Sequence, residues 1–171
     1  MSKYIIDKNK LIENINIIKE KAGVEVIGVV KGNGYGFGMA NLAEILMQNE
    51  IKTFAVTEVY DIPLLREAVL DNDILVMRST CVEEEAKTIA QYDCIATIGS
   101  LSSAEVMDKV SKELGKKTKC HLKIDTGMGR YGFLPSQVES AIKCYDFENL
   151  DFCGAYTHFS SAFHNVQLTK A

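Results

Sequence analysis

The chain of 171 residues has no tryptophan and only two prolines, and it lacks any apolar run long enough to span a bilayer. A membrane helix needs about 20 consecutive apolar residues, so no spanning segment is expected. The opening Met1-Ser2-Lys3-Tyr4-Ile5 has no apolar core of the signal-peptide kind. Basic patches are missing too. The formal net charge is -4 with both signs interspersed, which argues against nucleic acid as a partner and gives a membrane surface nothing to attract. No C-x-x-C pair occurs among Cys81, Cys94, Cys120, Cys144 and Cys153, and their number is odd. Most have apolar neighbours, so reduced core cysteines of a cytoplasmic protein are expected. His121, His158 and His164 show no H-E-x-x-H spacing, and no metal site is expected.

What is present is alternation. Asp7 is a plausible N-cap, and Leu11, Ile15 and Ile18 make an apolar stripe that Gly23 ends. Val24 to Val30 is a nearly continuous apolar run, expected to be a strand buried on both faces. Further strands are expected at Thr53–Thr57, Ile74–Met77, Cys94–Ile98, Thr118–Ile124 and Phe152–His158. Helices are expected at Met39–Asn49, Tyr60–Val69, Val82–Tyr92, Ser103–Leu114, Pro135–Tyr145 and from about Asn165 onward. An opening helix and about six βα units with no hairpin signal imply an α/β fold with a parallel sheet. A doubly wound sheet and most of a (β/α)8 TIM-type barrel both fit. A closed barrel needs about eight strands and typically ~250 residues, so on the barrel reading two strands are missing.

Three strand ends carry chemistry. In Val29-Val30-Lys31-Gly32-Asn33-Gly34-Tyr35-Gly36-Phe37-Gly38 a buried strand ends in a lysine followed by four glycines. The C-terminal ends of parallel strands form the active-site rim in such folds. A lysine there has an apolar stem and an amine in a cleft, where desolvation favours the neutral form needed for Schiff-base chemistry. Glycines let backbone approach a bound group, at positive φ if needed. A solvated lysine before a flexible turn is the plainer reading. The order of residues excludes a Walker A loop, in which the lysine ends the glycine run. The second run is His121-Leu122-Lys123-Ile124-Asp125-Thr126-Gly127-Met128-Gly129-Arg130-Tyr131-Gly132. Lys123 and Asp125 share one strand face; if that face is interior, both charges need partners. Arg130 is placed to read a carboxylate or phenolate bidentately; the alternative is that Lys123 and Asp125 form a structural salt bridge and that Arg130 is merely a surface arginine. The third run is Tyr156-Thr157-His158-Phe159, where His158 could stack on a planar ring or simply be a satisfied core residue. Together these ends would bring Lys31, Arg130 and His158 to one rim.

These runs resemble the alanine racemase family of fold-type III pyridoxal-phosphate enzymes. Val30-Lys31-Gly32-Asn33-Gly34-Tyr35-Gly36-Phe37-Gly38 is similar to the family's cofactor-lysine motif V-K-A-[ND]-A-Y-G-H-G. Lys123 to Gly132 matches K-x-D-T-G-M-x-R-x-G, and Thr157-His158-Phe159 matches T-H-F, in family order. The resemblance covers the whole chain and about the first half of a complete family member. It implies that residues 1–171 are an incomplete pyridoxal-phosphate-binding barrel domain, with the C-terminal part of the barrel and a β domain absent. It further implies that Lys31 holds pyridoxal 5'-phosphate covalently and is one catalytic base. Tyr35 would help bind the phosphate. Arg130 would contact the substrate carboxylate and the cofactor's phenolic oxygen, with Lys123 supporting it; in some members that lysine is carbamylated. His158 would lie against the cofactor. Gly32 and Gly34 depart from the usual alanines. If their conformation would accept alanine, each loosens the loop by about 1 kcal/mol. Phe37 replaces the usual histidine and removes a polar group.

The function so implied is PLP-dependent interconversion of L- and D-alanine by a full-length parent, a cytoplasmic homodimer supplying D-alanine for a cell wall. The 171-residue chain alone is expected to be inactive, because the family's second base and pyridine-nitrogen arginine lie beyond it. A racemase of another small amino acid such as serine, and a non-catalytic PLP-binding protein, are the other readings. The carrier family lacks the T-G-M-x-R run, so Arg130 favours the enzyme.

Overall fold

A computed structural model describes residues 5–162, 164, 167 and 169. The chain divides into two compact units, Met1–Leu75 and Val76–Ala171.

In the first unit, α1 spans Lys8–Ala22. The Asp7 carboxylate caps it, accepting from the N–H groups of Asn9 at 3.0 Å and Lys10 at 3.2 Å. Gly23 ends it in the left-handed conformation, φ 62°. Strand β1 (Ile27–Val29) pairs in parallel with β2 (Thr53–Val56), with Ile27 beside Thr53 and Val29 beside Ala55. Strand β3 (Asp73–Val76) borders β2. Between strands lie a single turn at Lys31–Tyr35 (α2), α3 at Met39–Gln48, and α4 at Ile62–Val69 with Pro63 in its first turn. Val30, Phe54, Val56, Ile62, Leu65 and Ile74 are fully enclosed.

The second unit repeats the pattern. Helix α5 (Glu83–Gln91) leads to β4 (Ala96–Ile98), α6 (Leu101–Glu113) to β5 (Thr118–Lys123), and α7 (Val138–Lys143) to β6 (Leu150–Tyr156). Both strand pairings, β4 with β5 and β5 with β6, are parallel. A register shift lies between Cys120 and His121, so that Cys120 faces Phe152 and His121 faces Gly154. The imidazole of His121 occupies the room that a side chain at Gly154 would need, since a Cβ there would lie 2.6 Å from His121 Nε2.

The expected elements are present, with boundary corrections. The Val24–Val30 run pairs only from Ile27, because Thr53 is the first residue of β2 opposite it. It is also not buried on both faces: Ile27 is 40% exposed. Helix α6 starts before Ser103. Ser100 is its N-cap, accepting from Ser103 N–H at 3.1 Å, so Ser103 already lies in the first turn. Strand β6 stops at Tyr156, which leaves His158 in the following loop. Most of the helix expected from Asn165, including its start, lies outside the described residues. None of the five cysteines is in a disulfide, but Cys81 and Cys153 are exposed rather than in the core. Among the described residues no helix is long and apolar enough to cross a membrane, and no group of three metal-ligating side chains occurs.

Candidate functional site

The segment after β1 is a left-handed turn. Val30 is wholly buried and Lys31, next to it, is half-buried. Then Gly32 (φ 59°), Asn33 (φ 54°), Gly34 (φ 63°) and Tyr35 (φ 55°) are all in the left-handed helical region. An L-residue there costs roughly 1–2 kcal/mol, which glycine avoids. The two glycines that depart from the family's alanines therefore occupy positions that oppose a side chain. The expectation that they loosen the loop assumed a conformation that accepts alanine, and that condition fails. Gly34 is crowded as well, because a Cβ would lie 3.3 Å from the Leu42 side chain. Asn33 closes the turn. Its carbonyl accepts from Gly36 N–H at 3.2 Å and Gly38 N–H at 3.0 Å, and its side-chain Oδ1 accepts from Met39 N–H at 2.9 Å at the start of α3. Tyr35 projects with 61% exposure. Around Gly32 and Gly36 the space is open, with no heavy atom within 4 Å of where a Cβ would stand.

The ends of β5 and β6 carry the second group. Lys123 is 4% exposed, and its Nζ has no hydrogen-bond partner. It lies 5.4 Å from the centre of the Tyr156 ring, within cation–π range. Burial lowers the Lys123 pKa; the Asp125 carboxylate opposes this and the Arg130 charge adds to it. Asp125 is 6% exposed. Both charges are thus buried, as the shared strand face implied, but no salt bridge joins them. Asp125 Oδ1 instead accepts from Gly127 N–H at 3.0 Å and Gly129 N–H at 3.1 Å. These backbone donors hold its pKa below the ordinary carboxylate value.

Tyr156 is a residue that the sequence reading gave no role. Its hydroxyl donates to Met77 O at 2.8 Å and meets Thr97 Oγ1 at 3.0 Å, while Thr97 Oγ1 donates to Val76 O at 2.6 Å. Burial raises its pKa against the Thr97 hydrogen bond and the Arg130 charge. This pinned ring forms one wall beside the Lys123 amine. Arg130 and His158 are both exposed, in the loops that follow β5 and β6. Thr126 and Thr157 tie those loops together, their hydroxyls 2.7 Å apart. Each chemistry-bearing residue therefore follows the C-terminal end of a parallel strand: Lys31 and Tyr35 in the first unit, Arg130 and His158 in the second.

The family model for "Alanine racemase, N-terminal domain" matches residues 6–170. The chain belongs to that family. It is 38% identical over 157 residues to the alanine racemase of Methanococcus maripaludis, covering 91% of this chain and 41% of that protein. Among solved structures, alanine racemase from Clostridium difficile 630 is 29% identical with a TM-score of 0.85, over 92% of this chain and 42% of that one. Histidine racemase from Leuconostoc mesenteroides has a TM-score of 0.86 at 22% identity, over 95% and 45% of the two chains, and at that identity shows the fold alone. The chain thus spans less than half the length of the relatives it matches. The α/β class expected from the alternating pattern, and the racemase-barrel portion implied by the family resemblance, are borne out by these likenesses.

Proposed function

We propose that residues 1–171 are the cofactor-lysine portion of a pyridoxal-phosphate-dependent alanine racemase, forming an incomplete barrel domain. The observation that carries this reading is Lys31. It is half-buried after a strand, with the wholly buried Val30 beside it, and it opens a left-handed glycine turn inside a chain of the alanine racemase family. The local chemistry suits an aldehyde-bearing ring with a phosphate. The wholly buried Val30 precedes Lys31, and the open backbone at Gly32 and Gly36 leaves room for a planar group. Lys31 would hold the cofactor and Tyr35 would donate its phenol to the phosphate. Arg130 would take the substrate carboxylate and the cofactor's phenolic oxygen, supported by Lys123, and His158 would lie against the ring.

When bound, pyridoxal phosphate supplies an electron sink that acidifies the substrate Cα. The Lys31 amine then removes or returns the Cα proton on one face. Racemisation needs a second base on the opposite face; in this reading the rest of the enzyme supplies it. The buried, unpartnered Lys123 would set the charge felt by Arg130, and hence how firmly a carboxylate is held. The reading further places the enzyme in the cytoplasm as a homodimer that supplies D-alanine for a cell wall. Alanine is the proposed substrate because the relatives carry that name. A histidine racemase with the same fold indicates that the fold does not fix side-chain size.

The test is borohydride reduction after adding pyridoxal phosphate, with the modified lysine located by mass spectrometry. The expected result is a weak adduct on Lys31 that disappears in Lys31→Ala, with negligible exchange of alanine Cα protons by the chain alone. Adducts scattered over surface lysines with Lys31 unmodified would overturn the reading.

A further inference from the structure

Asp125 carries none of the roles given above, yet it organises the loop that carries Arg130. Its backbone is fixed at the end of β5: Asp125 N–H donates to Phe133 O at 2.9 Å, and Phe133 N–H donates to Lys123 O at 2.9 Å. From that anchor its side-chain Oδ1 reaches forward to the N–H groups of Gly127 and Gly129. Between the anchors the backbone runs through φ 114° at Gly127, 70° at Gly129, 49° at Tyr131 and 101° at Gly132. Glycine adopts such conformations without strain, but the left-handed Tyr131 persists only where its surroundings over-determine it. Arg130 stands between Gly129, whose N–H is held by Asp125, and left-handed Tyr131. Among the described residues no partner fixes its guanidinium, so the direction in which it projects is set by the loop backbone.

We propose that Asp125 is the positioning residue for Arg130. Its buried carboxylate is committed to the Gly127 and Gly129 N–H groups, not to the nearby Lys123, and so holds the 126–132 loop in the shape that presents the guanidinium. This rests on the proposed function only for what Arg130 is used for.

The experiment takes the whole chain, its Asp125→Ala and Asp125→Asn variants, and acetate as the carboxylate probe, followed at the Arg130 Nε–H by NMR. Asparagine keeps an oxygen acceptor without the charge; alanine removes the acceptor. Hydrogen bonds to a charged group are strong enough that losing them should speed Gly127 and Gly129 amide exchange, and weaken acetate binding, by about tenfold or more in Asp125→Ala. Asp125→Asn should restore both to within about threefold. A general loss of stability would not be rescued at Arg130 in this selective way. Acetate affinity in Asp125→Ala equal to the unmodified chain would overturn the proposal. So would an Asn variant as weak as Ala despite protected glycine amides. If acetate leaves Arg130 of the unmodified chain unmoved, the carboxylate reading of Arg130 falls and Asp125 is judged on Arg130 backbone 15N relaxation: fast disorder rising in Asp125→Ala but not in Asp125→Asn supports it, and no rise overturns it. Should Asp125→Ala fail to fold, Asp125→Ser, a shorter acceptor, takes its place under the same criteria.

Discussion

The turn after β1 and the loop after β5 solve the same problem by different means. Each must hold a cationic side chain just past a parallel strand in a conformation the chain would not choose unaided. After β1 the solution lies in the backbone: glycine at 32 and 34 removes the steric cost of a left-handed turn, and Asn33 closes it with neutral hydrogen bonds. After β5 the solution is electrostatic: one buried carboxylate collects two N–H groups, and the strand-end backbone pinches the loop shut. The first turn should therefore be sensitive to side-chain bulk and indifferent to the loss of charge. The second should be sensitive to both.

The largest effect is expected at Gly132. A Cβ there would lie 2.9 Å from Lys123 O and 3.0 Å from Asp125 N, both backbone atoms that cannot swing aside. Gly132→Ala should cost about 3 kcal/mol in urea unfolding, from overpacking added to strained φ. In the first turn, Gly34→Ala should cost about 2 kcal/mol, because left-handed strain adds to contact with Leu42. Gly32→Ala, into open space, should cost only about 0.5–1 kcal/mol after the gain from a stiffer unfolded chain. Equal losses at 32 and 34 would break the claim that crowding, and not conformation alone, separates them.

Two smaller effects test the electrostatic half. Lys123 buries an amine with no hydrogen-bond partner, and burying an unpaired polar or charged group is costly, so an apolar side chain of similar size should be neutral or stabilising there. Lys123→Met should raise stability by up to about 1 kcal/mol in the same unfolding assay, and a loss of that size would show that the amine is well paired. The second effect concerns pH. The folded-state pKa of Asp125 is depressed by its backbone donors. Its contribution is therefore complete above the unfolded-state carboxylate value and is lost as pH falls through the folded one. Corrected for intrinsic rates, amide exchange at Gly127 and Gly129 should accelerate as pH drops below about 4. Gly36 and Gly38 should not follow, since residues 31–38 contain no carboxylate. Parallel acceleration in both loops would show that acid opens the fold generally.

Much of this was legible in the residues. The alternation of apolar runs and helical stripes located the six strands, and Asp7 and Gly23 marked the ends of α1 by their own conformational preferences. Lys31 and Arg130 could be singled out because each stands among glycines at a strand end. At boundaries pairing partners decide: Ile27 begins β1 because Thr53 lies opposite, and His158 falls past β6. Burial and conformation also depart from expectation, at exposed Ile27, Cys81 and Cys153 and at left-handed Gly32 and Gly34. For Asp125 the sequence offers a salt bridge only as the alternative, although an aspartate two and four residues before glycines is itself a pattern for backbone capture. Tyr156 gave no local signal, since its partners Thr97 and Met77 are distant in the chain.

The order of residues by itself determined the α/β alternation and which side chains stand at strand ends, because these depend on periodicity and on the intrinsic preferences of glycine, aspartate and β-branched residues, while the resemblance of its three motif runs carried the family. Only the tertiary structure decided who satisfies whom: that Asp125 serves the loop and not the lysine, that Lys123 is left with an aromatic face, and that Tyr156 is pinned beside it. Those outcomes turn on distances between atoms far apart along the chain, and a buried charge takes whichever partner the packing brings within reach.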